Sequence, residues 1–236
     1  MTNPLTVYID YKSPYAYIAK DPTYALEEEF GIEIDWFPLT LNIASYLGKA
    51  SKDSSGKLSE NQRSPRQWAV VKYAYYDARR YAGLRGLTLK GTQKIWDSSL
   101  AAIGMLWIKR KNRPALRAYT DRVFDRFWKR DLDIENEGVI ESLLAQTGVD
   151  TSGFQAFLRG EGRLEHDQLQ ADIFERGLIG VPTYLIDDEV YFGREHLPRV
   201  RWHLSGKKGP PPDIAYDTVL KPHQTYLSDP DGDQSR

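Results

Sequence analysis

Ser13 is the residue of this sequence whose surroundings point most directly to chemistry. It precedes Pro14, and serine at the N-cap followed by proline at the first helical position is typical of a helix start. A helix N-terminus carries partial positive charge and unpaired N–H groups, which stabilise an anion such as a thiolate. The Ser13 hydroxyl can donate a hydrogen bond to the thiolate of a bound thiol, a bond that contributes about 1.5–3 kcal/mol. The alternative is that Ser13 caps the helix and binds no ligand.

Three other groups of residues stand where elements are predicted to begin. Val181 and Pro182 enter a predicted strand, a place where proline is tolerated because it lacks the donor of a strand ladder. Arg194 and Glu195 open the last predicted helix. Asp97 precedes another helix, which its side chain is well placed to cap.

Composition excludes several kinds of function. The chain has no cysteine, so the protein itself can carry out no thiol–disulfide chemistry and form no thiolate metal site. Lys and Arg number 32 and Asp and Glu 33, which gives no reason to expect nucleic acid or an anionic membrane as a partner. The four histidines show no spacing typical of metal ligands. We therefore expect no metal site.

The amino-terminal residues do not show a basic region, an apolar run and a cleavage site in that order. No stretch approaches about 18 consecutive apolar residues, the length that spans a bilayer. We therefore expect a soluble cytoplasmic protein.

Strand and helix patterns alternate at both ends of the chain. Residues 5–11 read as a strand, a helix follows from Ser13 to the terminating Gly31, and residues 32–38 read as a second strand. The crossover predicts that these two strands are parallel. Near the other end, strand patterns at residues 183–187 and 190–192 predict a hairpin that is followed by a last helix.

The regions between and beyond these ends differ in character. Residues 66–178 have mostly helical spacing, whereas residues 48–65 lack a period and are predicted to form an exposed, mobile loop. Residues 207–236 are rich in proline and polar residues and are predicted to form an extended tail. The order β-α-β, helical block, β-β-α predicts an α/β fold with one four-stranded mixed sheet and a large all-helical insertion.

Three segments carry a resemblance to a known family. Residues 8–17, 180–183 and 192–197 resemble the first strand and helix start, the cis-proline motif and the start of the last helix in 2-hydroxychromene-2-carboxylate isomerases and kappa-class glutathione transferases. These enzymes are DsbA-like members of the thioredoxin fold. The resemblance follows the order of elements from residue 5 to residue 204. It implies a discontinuous thioredoxin-like domain, residues 1–47 and 179–206, interrupted by a helical insertion domain, residues 66–178.

The resemblance also implies glutathione as co-substrate. Ser13 would stabilise the glutathione thiolate, and a cis Val181-Pro182 bond would present the Val181 backbone to the peptide part of glutathione. Arg194 and Glu195 stand where the family usually has a small polar residue and an aspartate, which hold the γ-glutamyl end. Asp97 falls where the isomerases line their substrate pocket, and it would orient a small aromatic or conjugated carboxylate.

Three functions remain open on these residues. In the isomerase that the resemblance implies, the thiolate adds to a conjugated alkene, the former double bond rotates, and the thiol is eliminated. A kappa-like transferase shares the first step without the elimination. A cysteine-free DsbA-like binding module would keep the fold without catalysis. A homodimer is a further expectation.

Overall fold

A mixed sheet forms the base of the fold in the computed structural model, which describes residues 4–219. The strands are β1 (Thr6–Ile9), β2 (Asp35–Pro38), β3 (Ala50–Lys52), β4 (Leu58–Asn61), β5 (Thr183–Ile186) and β6 (Glu189–Phe192). The four-stranded sheet has the order β2-β1-β5-β6, while β3 and β4 form a separate hairpin. Strand β1 pairs parallel with β2 and antiparallel with β5, and β5 pairs antiparallel with β6. The predicted four-stranded mixed sheet is confirmed.

Helices cover this sheet and form the insertion. They are α1 (Pro14–Phe30), α2 (Ile43–Leu47), α3 (Pro65–Leu84), α4 (Ser99–Lys111), α5 (Leu116–Lys129), α6 (Glu137–Ala145), α7 (Phe154–Arg159), α8 (Glu161–Glu175) and α9 (Leu197–Leu204). Helices α3 to α8 correspond to the predicted helical block. No helix within residues 4–219 has both the length and the apolar content needed to cross a bilayer.

Helix α1 begins and ends as the sequence predicts. Ser13 is its N-cap, and Gly31 ends it in the left-handed conformation with φ 59°. Tyr17 on α1 stacks against Phe124 and Trp128 of α5, with ring centroids 5.6 Å and 6.1 Å apart. These rings belong to one apolar core that also includes β1 and β5. The helical insertion therefore packs directly on the sheet-bearing part of the chain.

The prediction for residues 48–65 was wrong in one respect, because the segment contains the β3–β4 hairpin rather than a loop without regular structure. The turn is organised by Asp53, whose Oδ1 accepts bonds from the backbone N–H groups of Ser55 and Lys57 at 2.9 Å and 3.0 Å. All four residues of β4 are exposed. A strand that buries neither face shows no apolar alternation, which is why its sequence resembles that of a loop.

The chain beyond α9 contains turns but no helix or strand as far as residue 219. The Trp202 side chain donates a hydrogen bond to the carbonyl of Gly209 at 3.1 Å, so the start of this segment contacts the last helix. The predicted tail covered residues 207–236, and its part from 220 onward lies outside the described residues.

Candidate functional site

Ser13 lies at the floor of a cavity, at the N-terminus of α1. Its Oγ accepts a hydrogen bond from the backbone N–H of Ala16 at 3.2 Å, and the residue is buried. That bond uses an oxygen lone pair, so the hydroxyl hydrogen remains available to a ligand. Within residues 4–219 no acceptor takes this hydrogen. Ser13 is thus an N-cap whose donor is free.

The Val181-Pro182 peptide bond is cis, as predicted. Val181 lines the same cavity as Ser13, and its backbone N–H and C=O make no hydrogen bond to the other described residues. Gly180 lies against the ring of Phe192, since a Cβ at Gly180 would come within 2.6 Å of that ring. Among the described residues, the cavity is therefore lined both by an unpaired peptide group at Val181 and by the free hydroxyl hydrogen of Ser13.

Lys12 is a buried cation immediately before the N-cap, and sequence reasoning missed it. Its Nζ lies 2.9 Å from Asp10 Oδ2 and 2.8 Å from Ser98 Oγ. Only 3 % of the Lys12 side chain and 0 % of the Asp10 side chain are exposed. Asp10 also accepts the backbone N–H of Leu41 at 2.8 Å. Lysine is almost never this buried unless it is paired, so the spacing of Asp10 and Lys12 at the end of β1 was the available signal.

The cavity has a volume of about 580 Å³ and is strongly asymmetric in charge. It lies between the β5 side of the sheet, the β3–β4 hairpin, α3 and the segment 91–96. Seven basic residues line it: Lys12, Lys52, Arg63, Lys72, Arg79, Lys94 and Arg130. No Asp or Glu is among its lining residues in the described part of the chain. Lys12 and Lys94 are paired with Asp10 and Glu135, and the remaining basic residues favour an anionic ligand.

Aromatic rings form much of the remaining wall, among them Tyr15, Trp68, Tyr75 and Trp96. The Lys94 ammonium lies 4.3 Å from the centroid of the Trp96 ring. Rings next to cations suit a flat ligand that carries negative charge.

Arg194 turns away from the cavity toward α3. Its guanidinium lies 3.7 Å from the centroid of the Tyr81 ring, and its Nη2 lies 3.5 Å from Asp77 Oδ2. The Tyr15 hydroxyl donates to the same carboxylate oxygen at 3.3 Å. Burial and the neighbouring Asp77 carboxylate raise the pKa of Tyr15 to about 12. The Tyr15 phenol therefore stays protonated at neutral pH.

Glu195 and Asp97 are both exposed and are not among the residues that line the cavity. The Glu195 carboxylate lies against Gly193, close to the point where a Cβ on that glycine would stand. Asp97 accepts bonds from the backbone N–H and the hydroxyl of Ser99 at 2.8 Å and 2.9 Å. Of the predicted site residues, Ser13 and Val181 line the same cavity and Pro182 follows Val181 through the cis bond, whereas Arg194, Glu195 and Asp97 do not line it.

This fold and this cleft between a helix N-terminus and a cis-proline define a class. A family model described as a DSBA-like thioredoxin domain matches residues 4–205, and the chain belongs to that family.

Within the family, the chain is similar to the 2-hydroxychromene-2-carboxylate isomerase of Pseudomonas putida, with 26% identity over 195 residues that cover 80% of this chain and 88% of the relative. A solved structure of a 2-hydroxychromene-2-carboxylate isomerase superimposes with a TM-score of 0.65 at 23% identity, over 86% of this chain and 95% of the other. The cytosolic disulfide reductase DsbM of Pseudomonas aeruginosa, solved with GSH, superimposes with a TM-score of 0.55 at 15% identity, over 86% and 98%.

Proposed function

We propose that this protein is a glutathione-dependent isomerase that acts on a small conjugated or aromatic carboxylate. The observation that carries the proposal is that Ser13, with its hydroxyl hydrogen free, and Val181, with its backbone unpaired among the described residues, line one cavity whose lining includes cations and no carboxylate. Relatives that cover most of this chain are named 2-hydroxychromene-2-carboxylate isomerases. The likeness to DsbM solved with GSH supports glutathione as the thiol.

Ser13 would act first, by holding the sulfur as a thiolate. The hydroxyl donates to the sulfur while the free N–H groups at the N-terminus of α1 add their partial positive charge. A charge-assisted bond of about 1.5–3 kcal/mol acidifies the bound thiol by about ten- to a hundredfold. The Val181 backbone would pair with the peptide part of glutathione and so aim the sulfur into the cavity.

The isomerisation itself needs no other nucleophile. The thiolate sulfur forms a bond to one carbon of the conjugated alkene, and the displaced electron pair moves onto the carbonyl oxygen as an enolate. The former double bond is now single and rotates. The enolate pair then restores the double bond, the carbon–sulfur bond breaks, and the thiolate leaves unchanged. The cations of the cavity would stabilise the enolate.

A binding module without catalysis is the second candidate, and the positions of Arg194 and Glu195 favour it. Neither residue lines the cavity, although the resembling family uses these positions to hold the γ-glutamyl end of glutathione. A kappa-like transferase would share the thiolate step and differ only in lacking the elimination. A cytoplasmic location and a homodimer stay predictions.

The test is a calorimetric titration with glutathione and with S-methylglutathione, which keeps the tripeptide but has no thiol. We expect glutathione to bind wild type more tightly than S-methylglutathione does, and we expect Ser13→Ala to remove that difference because the donor to sulfur is gone. If glutathione gives no heat up to about millimolar concentration, where binding energies are near 4 kcal/mol, the isomerase proposal is wrong. The protein would then be better described as a binding module.

A further inference from the structure

Two arginines converge on one wall of the cavity, at Gly91. The Nη2 atom of Arg79 lies 3.1 Å, and the Nη2 atom of Arg130 lies 4.0 Å, from the point where a Cβ on Gly91 would stand. Arg79 comes from α3 and Arg130 directly follows α5, so the insertion brings them together from distant parts of the sequence. No carboxylate within residues 4–219 lies within 4.0 Å of either guanidinium.

Both guanidinium groups are held in place through one nitrogen only. Arg79 Nε donates to the carbonyl of Leu89 at 3.0 Å, and Arg130 Nε donates to the carbonyl of Gly91 at 2.6 Å. The terminal nitrogens of each group keep their donors free of acceptors in the described part of the chain. An arginine that is held at Nε and whose terminal nitrogens are free can bind a carboxylate with two hydrogen bonds.

The backbone at Arg130 adds an independent observation. Arg130 has φ 63°, the left-handed conformation at a helix end where glycine is strongly preferred. A side chain at this position is unfavourable for folding. The local backbone therefore does not favour the Arg130 side chain, whose contacts are the Gly91 carbonyl and the cavity.

We infer that Arg79 and Arg130 bind the carboxylate of the conjugated or aromatic acid on which the enzyme acts. The inference rests on the proposed function, since it names the second ligand of the same cavity. Val181 and Ser13, where the thiol tripeptide would bind, belong to the sheet-bearing part of the chain, whereas Arg79 and Arg130 belong to the insertion. Tyr75 lies beside Arg79, with 5.5 Å between guanidinium and ring centroid, so the acid's conjugated body would meet an aromatic surface.

The experiment is a calorimetric titration with naphthoate and with its uncharged amide, naphthamide, in the absence of glutathione. We expect naphthoate to bind wild type at least about tenfold more tightly than naphthamide, as loss of a charge-assisted bond implies. Arg79→Gln and Arg130→Gln should each weaken naphthoate binding by at least about fivefold and leave naphthamide binding unchanged. Arg122→Gln on α5, outside the cavity, is the matched control and should behave as wild type.

A further variant separates ligand binding from folding. Arg130→Gly suits the left-handed backbone, so its thermal midpoint should not fall below that of wild type, while its naphthoate affinity falls as in Arg130→Gln. Three results would overturn the inference. Wild type could bind naphthoate and naphthamide with equal affinity, or both glutamine variants could lose less than about fivefold in naphthoate affinity. The third is that Arg122→Gln loses as much naphthoate affinity as they do.

Glutathione has carboxylates of its own, and a second titration distinguishes them. Naphthoate affinity should be the same with and without saturating glutathione if the arginines serve the acid, and competition between the two would overturn that assignment. If glutathione does not bind, the proposed function is wrong. The effect of the arginine variants on naphthoate binding can still be measured, because that titration contains no glutathione.

Discussion

The ammonium of Lys12 lies 2.8 Å from the hydroxyl of Ser98, although the two residues are 86 positions apart in the sequence. Lys12 precedes the N-cap of α1, and Ser98 precedes the first residue of α4. The same ammonium is paired with Asp10 at the end of β1. One buried cation therefore joins the sheet, the start of α1 and the insertion at the floor of the cavity.

Removing this cation alone should destabilise the protein strongly. Lys12→Met leaves the Asp10 carboxylate buried without its partner, and we expect a loss of about 3–5 kcal/mol in the free energy of unfolding. The double change Asp10→Asn with Lys12→Met should lose less, because no buried charge remains. Urea unfolding measures both. Lys72→Met, at an exposed lysine of the cavity wall, is the control and should stay within about 0.5 kcal/mol of wild type. A double variant no more stable than the single one would show that the pair carries no such energy.

Ser13→Ala should show two separable effects. Loss of the cap should lower the free energy of unfolding by about 1 kcal/mol. If the thiolate chemistry operates, loss of the donor should also reduce turnover by about 10- to 100-fold. Asn136→Ala provides the control, because Asn136 caps α6 by accepting the Val139 N–H at 3.1 Å. It should cost similar stability and leave glutathione binding unchanged.

Ser13→Cys tests the same helix start without knowledge of the natural substrate. A cysteine at the N-terminus of α1 should have a depressed thiol pKa, and glutathione disulfide should label it. Ultraviolet absorbance of the thiolate across a pH series gives the pKa, and mass spectrometry gives the label. A thiol that titrates near the ordinary value of about 8.5 and stays unlabelled would show that this helix start is not a thiolate site.

His166 should make stability depend on pH. Its ring is buried, and burial lowers its pKa from the ordinary value of 6.5. His166 is therefore harder to protonate in the folded state than in the unfolded state. Its contribution to the free energy of unfolding is fully present above about pH 6.5 and is lost as the pH falls through the lower pKa of the folded state. Urea unfolding of wild type and His166→Gln from about pH 8 to about pH 5 should show a shallower slope in the variant. Equal slopes would contradict this.

Residues 48–65 should exchange backbone hydrogens faster than residues 5–11. The hairpin is largely exposed, whereas β1 lies inside the sheet with its apolar side chains buried. Local opening of exposed structure with few buried apolar contacts requires little free energy. Hydrogen exchange followed by mass spectrometry compares the two segments, and equally slow exchange would count against the prediction.

Local signals in the sequence predicted much of the fold and part of the site. Ser13 and Gly31 mark the two ends of α1 through their own backbone chemistry, so these roles could be read without tertiary information. The cis Val181-Pro182 bond was predicted from the family resemblance, because an isolated proline at a strand start is usually trans. Arg79 could not be identified in this way, because its position beside Gly91 and Arg130 depends on the fold, and the local signal for Lys12 was its spacing from Asp10. Asp97 shows the converse, since a helix-capping aspartate and a pocket-lining one look alike in sequence and only the fold separates them.

The β3–β4 hairpin is one wall of the cavity, and the Lys52 backbone N–H bonds to the carbonyl of Gln93 on the neighbouring wall at 2.8 Å. If the hairpin opens as easily as we predict, its opening sets how long a ligand stays, while the side chains at the floor set how much ligand is bound at equilibrium. Residence time and affinity thus become separable properties of this protein. Changes that make the hairpin open more easily would therefore speed ligand entry and ligand departure together and leave the affinity unchanged.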